Sequence, residues 1–315
     1  MDIKYLLALQ TFRDGSQDLI TEFMKKMTKF GEEYLAFIFV LFIFWCVNRK
    51  LGEKSLFGVG FSCVLGNILK MTFCVLRPWS RSNLINPHGD MRYTTIGYSF
   101  PSGHTTMAVG TYGYTAFYYR KKKTIAITLF TLAFLVIFSR NFLGVHTPQD
   151  VLLGILMTSV CMFACNKLLD WTYDKKNRDI IILVCSVLFA IASLIYIIKK
   201  PYPLQLDADG NAIVNPYDIM PYTIGSAGSF IGIALGLFLE KRYADFDTDV
   251  SFETKINRFV VGTLIFIFLK SVVGRGIGIM IGDLGWGSVF GEFITFTFAV
   301  GIYPIIFSKI EKKKA

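Results

Sequence analysis

The chain has 315 residues, a formal charge of +10, 53% hydrophobic and 18% charged residues. Apolar runs follow one another along most of its length with the charges gathered between them, which excludes a soluble globular fold, since such a fold has no room for so many helices apolar on every face. The basic excess sits in short loops, as at cytoplasmic membrane flanks, and is no nucleic-acid surface.

Residues 1–33 carry Lys4, Arg13, Lys25, Lys26 and Lys29, with Phe23, Met24, Met27 and Phe30 at helical spacing. An interfacial amphipathic segment is expected there. No apolar core with a small-residue cleavage site marks it as a signal peptide. Nine spans are then predicted near 34–48, 55–76, 103–119, 124–142, 150–168, 180–198, 219–239, 257–274 and 287–307. The first, "YLAFIFVLFIFWCV", is shorter than the ~20 residues a crossing usually takes. Basic residues in 48–54, 120–123, 167–178, 241–258 and 308–315 put those connections in the cytoplasm and the N-terminus outside, against the five cations of 1–33. The expected fold is an all-α polytopic membrane helix bundle. Residues 1–33 form the interfacial segment, 34–168 a core of five to six helices, and 169–315 a C-terminal extension of about four spans.

Cys46, Cys63, Cys74, Cys161, Cys165 and Cys185 all lie in apolar runs without a CxxC pair and read as free thiols. With three histidines scattered along the chain, no metal-ligand spacing appears.

Three stretches carry chemistry. The second span ends "NILKMTFCVLRPWSR", and Lys70 and Arg77, two helical turns apart, are expected on one helix face, with Pro78 ending the helix. Each is also a cation able to snorkel to the interface. In "YSFPSGHTTMAVG" (98–110), Ser102 is placed to cap the third span and Gly103 to let a ligand approach the backbone. Such a helix start attracts anions, and His104 lies on its first turn. In "SRNFLGVHTPQDVLLG" (139–154), Arg140 closes the fourth span and Thr147-Pro148 opens the fifth. Asp150 stands four residues after His146, where it either orients the imidazole or closes a capping box with Thr147. The ends of spans two and four and the starts of spans three and five share one side of the membrane. Three cations, a helix start, two histidines and a carboxylate therefore converge, which suits a phosphate.

Lys70…Arg77-Pro78, Pro101-Ser102-Gly103-His104 and Ser139-Arg140…His146…Asp150 resemble, in type, spacing and order, the signature of the type 2 phosphatidic acid phosphatase superfamily. The resemblance covers about 70–150 by motif and 34–168 by span pattern. It implies a phosphatase working without a metal or other cofactor. His146 would attack phosphorus and carry a phosphohistidine, oriented by Asp150, while His104 protonates the leaving oxygen. Lys70, Arg77, Ser102, Gly103 and Arg140 would hold the phosphoryl oxygens. The implied substrates are lipid phosphates or diphosphates of the phosphatidic acid, isoprenoid diphosphate or sphingoid-base type, met among membrane lipids at the extracytoplasmic face of a plasma membrane, bacterial by its Lys-, Ile- and Phe-rich composition. A lipid phosphotransferase would use the same residues. A transporter or lipid-binding scaffold is the reading from another class, resting on Lys270, Glu292 and the Gly-rich 274–291 stretch.

Other features say less. His88 reads as a solvated loop residue, and Arg81 and Arg92 as candidate contacts to a second phosphate. "DFDTDVSFE" (245–253) lacks the glycine and the final acid of a calcium loop. "DADGN" (207–211) reads as a turn, and "GRGIGIMIG" (274–282) as close helix packing or a re-entrant turn.

Overall fold

The computed structural model describes residues 2–15, 18–89, 91–173, 177–207, 210 and 212–313. Parts of the turn read at 207–211 and of the basic segment at 167–178 lie outside them. Among the described residues there are helices and no strand. In chain order they are α1 (Asp2–Gly15), α2 (Asp18–Lys29), α3 (Glu33–Phe42), α4 (Arg49–Phe73), α5 (Pro78–Arg81), α6 (Met91–Thr94), α7 (Gly103–Ala108) and α8 (Tyr114–Tyr118). There follow α9 (Lys123–Phe142), α10 (Pro148–Tyr173), α11 (Arg178–Lys199), α12 (Pro216–Tyr243), α13 (Phe252–Phe268), α14 (Gly274–Ile281), α15 (Leu284–Thr297) and α16 (Tyr303–Lys312). Wide π turns continue α3 through Val47 and join α7 to α8, α13 to α14 and α15 to α16.

Among the described residues seven helices are long and apolar enough to cross a membrane, and eight if Leu19–Lys29 and Glu33–Val47 make one bent span. This is an integral, multi-pass membrane protein. Helices occupy all nine predicted positions, but the α7–α8 rod, Gly103 to Tyr118, falls below the length of a full crossing.

The chain forms two compact units. One comprises Met1–Ala36, Leu65–Val160 and Lys200–Ile219; the other Phe37–Val64, Cys161–Lys199 and Met220–Ala315. In the first, α1, α2 and α7 pack on α9. Met24 of α2 joins Trp79, Phe142, Leu143 and Val145 in a buried cluster, while Phe23 and Phe30 stay exposed. Arg13 of α1 is buried, and its guanidinium donates to the Asn86 carbonyl at 2.7 Å and the Phe142 carbonyl at 3.4 Å. The N-terminal segment thus holds the loop before α6 against the end of α9.

In the second unit, Gly274 and Gly278 face Gly291 and Gly287 so closely that a Cβ on Gly291 would lie 2.2 Å from the Gly274 Cα. Gly282, at φ +70°, makes the turn between α14 and α15. The glycine-rich stretch is therefore a close helix pair. Lys270 and Glu292 pair with each other at 2.5 Å, and Ser229 donates to the same carboxylate at 3.1 Å. These two intramembrane charges neutralise one another where a lone charge would be costly.

Candidate active site

All eight residues singled out for chemistry fall in the first unit. Its α7 begins as expected: Ser102 has extended backbone, and its hydroxyl accepts the Thr105 N–H at 3.4 Å. Gly103 has nothing within 4 Å of where a Cβ would stand, so the approach to the helix start is open. The Ser102 N–H donates to the Asp150 carbonyl at 3.1 Å, which ties the start of α7 to the first turn of α10.

The loop between α9 and α10 sets His146. Gly144, at φ +76°, takes a left-handed turn that an L side chain would strain. The Val145 and His146 N–H groups then return to the Arg140 carbonyl, and the Asn141 amide donates to the His146 carbonyl at 2.8 Å. At the start of α10, Thr147 N–H donates to Asp150 Oδ2 at 2.7 Å and Asp150 N–H to the Thr147 hydroxyl at 3.4 Å. That is a reciprocal capping box. The same Oδ2 lies 3.5 Å from His146 Nδ1, so the capping carboxylate also faces the imidazole.

Ser99 stands between them. Its hydroxyl donates to Asp150 Oδ2 at 2.6 Å and lies 3.4 Å from His146 Nδ1. On the other edge of the ring, Arg77 Nη1 is 2.9 Å from Nε2. A guanidinium only donates, so Nε2 is the acceptor and the proton belongs on Nδ1, facing Ser99 and Asp150. Burial first, then the Arg77 guanidinium, hold this imidazole well below its ordinary pKa, with the Asp150 carboxylate opposing them. A neutral ring with its lone pair at Nε2 is the nucleophilic form.

The two cations of the first motif are not on one helix face. Helix α4 ends at Phe73, because Cys74 turns to φ +48°. Arg77 is extended, and Pro78 starts α5 at its first position instead of ending α4. The two-turn spacing therefore did not describe a continuous helix. Lys70 leaves the last turn of α4 and donates to the Tyr98 and Pro101 carbonyls, each at 3.0 Å. Arg77 reaches the Ile96, Gly97 and Val145 carbonyls from the loop. Both cations thus also brace the strand of chain that carries Ser99 and Ser102.

Arg140, 2% exposed, donates from Nη1 to the Thr28 hydroxyl at 2.6 Å, and its Nε is buried without a partner. His104 packs with its Cδ2 and Cβ against Gly31 and lies within electrostatic reach of Arg140, His146, Arg77 and Lys70. An unsatisfied buried guanidinium nitrogen beside an open helix start and two more cations is suited to a tetrahedral oxyanion.

Sequence reasoning missed Ser99, Asn141, Thr28 and Gly31. Ser99 lay inside a quoted stretch, but its partner is remote in sequence. Thr28 and Gly31 sit in a segment with no motif. Of the additional contacts considered, Arg81 instead pairs with Asp2 at 2.8 Å. The His88 N–H donates to the Leu143 carbonyl at 3.2 Å, and the residue is half-buried. Arg92 is exposed on α6. Among the described residues no group of three or more His, Cys, Asp or Glu could hold a metal ion.

Known proteins give this geometry its context. The chain is 25% identical over 259 residues to a protein of Dictyostelium discoideum named probable sphingosine-1-phosphate phosphatase, covering 77% of this chain and 58% of that one. It is 32% identical over 138 residues to an undecaprenyl-diphosphatase of Sulfolobus acidocaldarius, covering 44% of this chain and 65% of the relative. It thus spans less than two thirds of the length of both. No solved structure matches. The model of the PAP2 superfamily matches residues 54–174, and that of the PAP2 superfamily phosphatase transmembrane extension matches 224–315. The second match reaches the last spans, which the motif resemblance did not. Together the two cover more than half of the sequence, in the order of catalytic part and extension, and the chain belongs to the PAP2 superfamily.

Proposed function

We propose that this protein is a membrane phosphatase that hydrolyses a lipid phosphate or lipid diphosphate through a phosphohistidine. The observation that carries the reading is the His146 ring. Its Nε2 lies 2.9 Å from Arg77 Nη1 among buried cations, and its Nδ1 faces Asp150 and Ser99 on the other side. The relatives' names, one a lipid monophosphate phosphatase and one a lipid diphosphatase, support the substrate class.

In the first step Nε2 of His146 attacks the terminal phosphorus and its bond to the leaving oxygen breaks, releasing the lipid alcohol from a monophosphate or the lipid monophosphate from a diphosphate. His104, which holds a proton when the phosphate anion lies beside it, gives that proton to the departing oxygen. In the second step water gives a proton back to His104, attacks phosphorus, and the P–N bond breaks to release phosphate. Asp150, with the Ser99 hydroxyl between, stabilises the positive charge that the ring gains on phosphorylation. Arg77 releases Nε2 to the substrate and turns to the phosphoryl oxygens with Lys70, Arg140, the Ser102 hydroxyl and the Gly103 N–H. Positioning and electrostatics supply most of the catalysis in such a transfer.

The site lies at the end of α9 opposite the basic run Arg120–Lys123, and the positive-inside bias supports an extracytoplasmic active face. A cysteine placed in 82–88 should react with an impermeant thiol reagent in intact cells, and one at 121–123 should not. The reverse pattern would put hydrolysis in the cytoplasm. The chemistry is tested with purified protein and a panel of lipid phosphates in EDTA. Wild type should release phosphate and show an acid-labile phosphoenzyme, and His146→Ala should do neither. Turnover by His146→Ala near the wild-type rate would refute the nucleophile.

A further inference from the structure

The residues that complete the surroundings of Arg140 and His104 come from a part of the chain that carries no family motif. The PAP2 match begins at residue 54. Yet Thr28, in the last turn of α2, is 3% exposed and accepts the hydrogen bond from Arg140 Nη1 at 2.6 Å. The turn that follows closes by N–H donations from Phe30 to Met27, Gly31 to Thr28 and Glu32 to Lys29. Tyr112, buried in the π turn behind α7, donates its hydroxyl to the Phe30 carbonyl at 2.9 Å, so the turn is fixed to the same rod that carries His104. A Cβ on Gly31 would lie 2.9 Å from His104 Cδ2 and 2.7 Å from Val136 Cγ1. The backbone therefore comes as near to the imidazole as it can.

We infer that the end of α2 and its turn form a wall of the active site, in which Thr28 and Gly31 are positioning residues for Arg140 and His104. The inference rests on the phosphatase reading above. A guanidinium rotates about its long stem unless something holds it. With Nη1 held by Thr28, the fork keeps one orientation, and the partnerless Nε is left for a phosphoryl oxygen. Gly31 does the corresponding service for the acid. By leaving no Cβ in its place, it lets the Cβ–Cδ2 edge of His104 lie against the turn, and the ring cannot swing that way out of line with the leaving oxygen.

The two roles separate experimentally. Thr28→Val keeps the shape and removes the hydroxyl, while Thr28→Ser keeps the hydroxyl. The valine variant should lose roughly ten- to a hundredfold in kcat/KM, the range expected for a hydrogen bond to a charged group, and serine should recover most of it. The affinity for orthovanadate, measured by calorimetry without any turnover, should fall in parallel. On an Arg140→Lys background, Thr28→Val should cost almost nothing more, because their effects run through one guanidinium. Gly31→Ala should slow hydrolysis of an alkyl phosphate several-fold more than that of p-nitrophenyl phosphate, whose leaving group needs little protonation.

Equal vanadate binding by wild type and Thr28→Val would overturn the Thr28 role, as would additivity with Arg140→Lys. Equal losses on the two substrates would overturn the Gly31 role. If wild type hydrolyses no lipid phosphate yet binds vanadate in a Thr28-dependent way, the phosphatase reading fails and the positioning of Arg140 stands.

Discussion

Asp150→Asn removes one charge and almost nothing else. In the structure Oδ2 accepts from the Ser99 hydroxyl and the Thr147 N–H, and lies 3.5 Å from His146 Nδ1. The Thr147 N–H needs an acceptor, so the asparagine places its carbonyl oxygen where Oδ2 was. The cap, the Ser99 bond and the proton on Nδ1 all persist. What is lost is the attraction between the carboxylate and the charge that builds on the ring as Nε2 bonds to phosphorus. At 3.5 Å, with an effective dielectric of about 20, a full charge pair is worth about 4.7 kcal/mol. Roughly half to most of that charge is present in the transition state. The expected loss in kcat is therefore about 10²–10³-fold. Asp150→Ala should lose at least as much activity and also the cap, at about 0.5–2 kcal/mol of stability. The assay is phosphate release by detergent-purified protein from a soluble short-chain lipid phosphate, with thermal melts alongside. If Asp150→Asn keeps more than a fifth of wild-type kcat, the carboxylate is a cap and no more. If it melts as low as Asp150→Ala, the amide does not keep the cap and the derivation fails.

His104→Ala should cost about 10²–10⁴-fold on a lipid monoester and far less on p-nitrophenyl phosphate, where protonation of the leaving group matters little; equal losses would make His104 a phosphate binder. The free-enzyme kcat/KM, corrected for ionisation of the substrate, should have its His146 limb below the ordinary imidazole value of about 6.5, since the ring must be neutral to attack and its pKa is lowered; activity is then retained on acidification past 6.5 and lost only as pH falls through the shifted value. A limb above 6.5 would contradict the neutral ring. In the second unit, Lys270→Met or Glu292→Gln alone should each destabilise by about 1–3 kcal/mol, because each removes the counter-charge of its partner, while the double variant recovers most of the loss and turns over normally. Additive losses in the melt would show that the pair is not coupled.

The composition was enough to determine the class of molecule. Runs of apolar residues at bilayer length leave a chain no alternative to a polytopic helix bundle, because lipid offers its backbone no other hydrogen-bond partners. The three motifs named eight site residues by type and order, and the structure places all eight in one unit. Caps were equally legible, since Ser102 and the Thr147–Asp150 box depend on neighbours within four residues. Tertiary structure decided whatever depends on neighbours far away in the chain. Helical spacing put Lys70 and Arg77 on one face, and only the left-handed Cys74 shows that the helix has already ended. Ser99, 51 residues before Asp150, has no spacing that could announce it as a partner of Asp150 and His146. Thr28 is 112 residues from Arg140, in a segment whose amphipathic pattern announced only an interface. A pattern in sequence records which face of a helix is apolar. Which polar atom a buried guanidinium finds is settled by how helices pack, and no local rule contains that information.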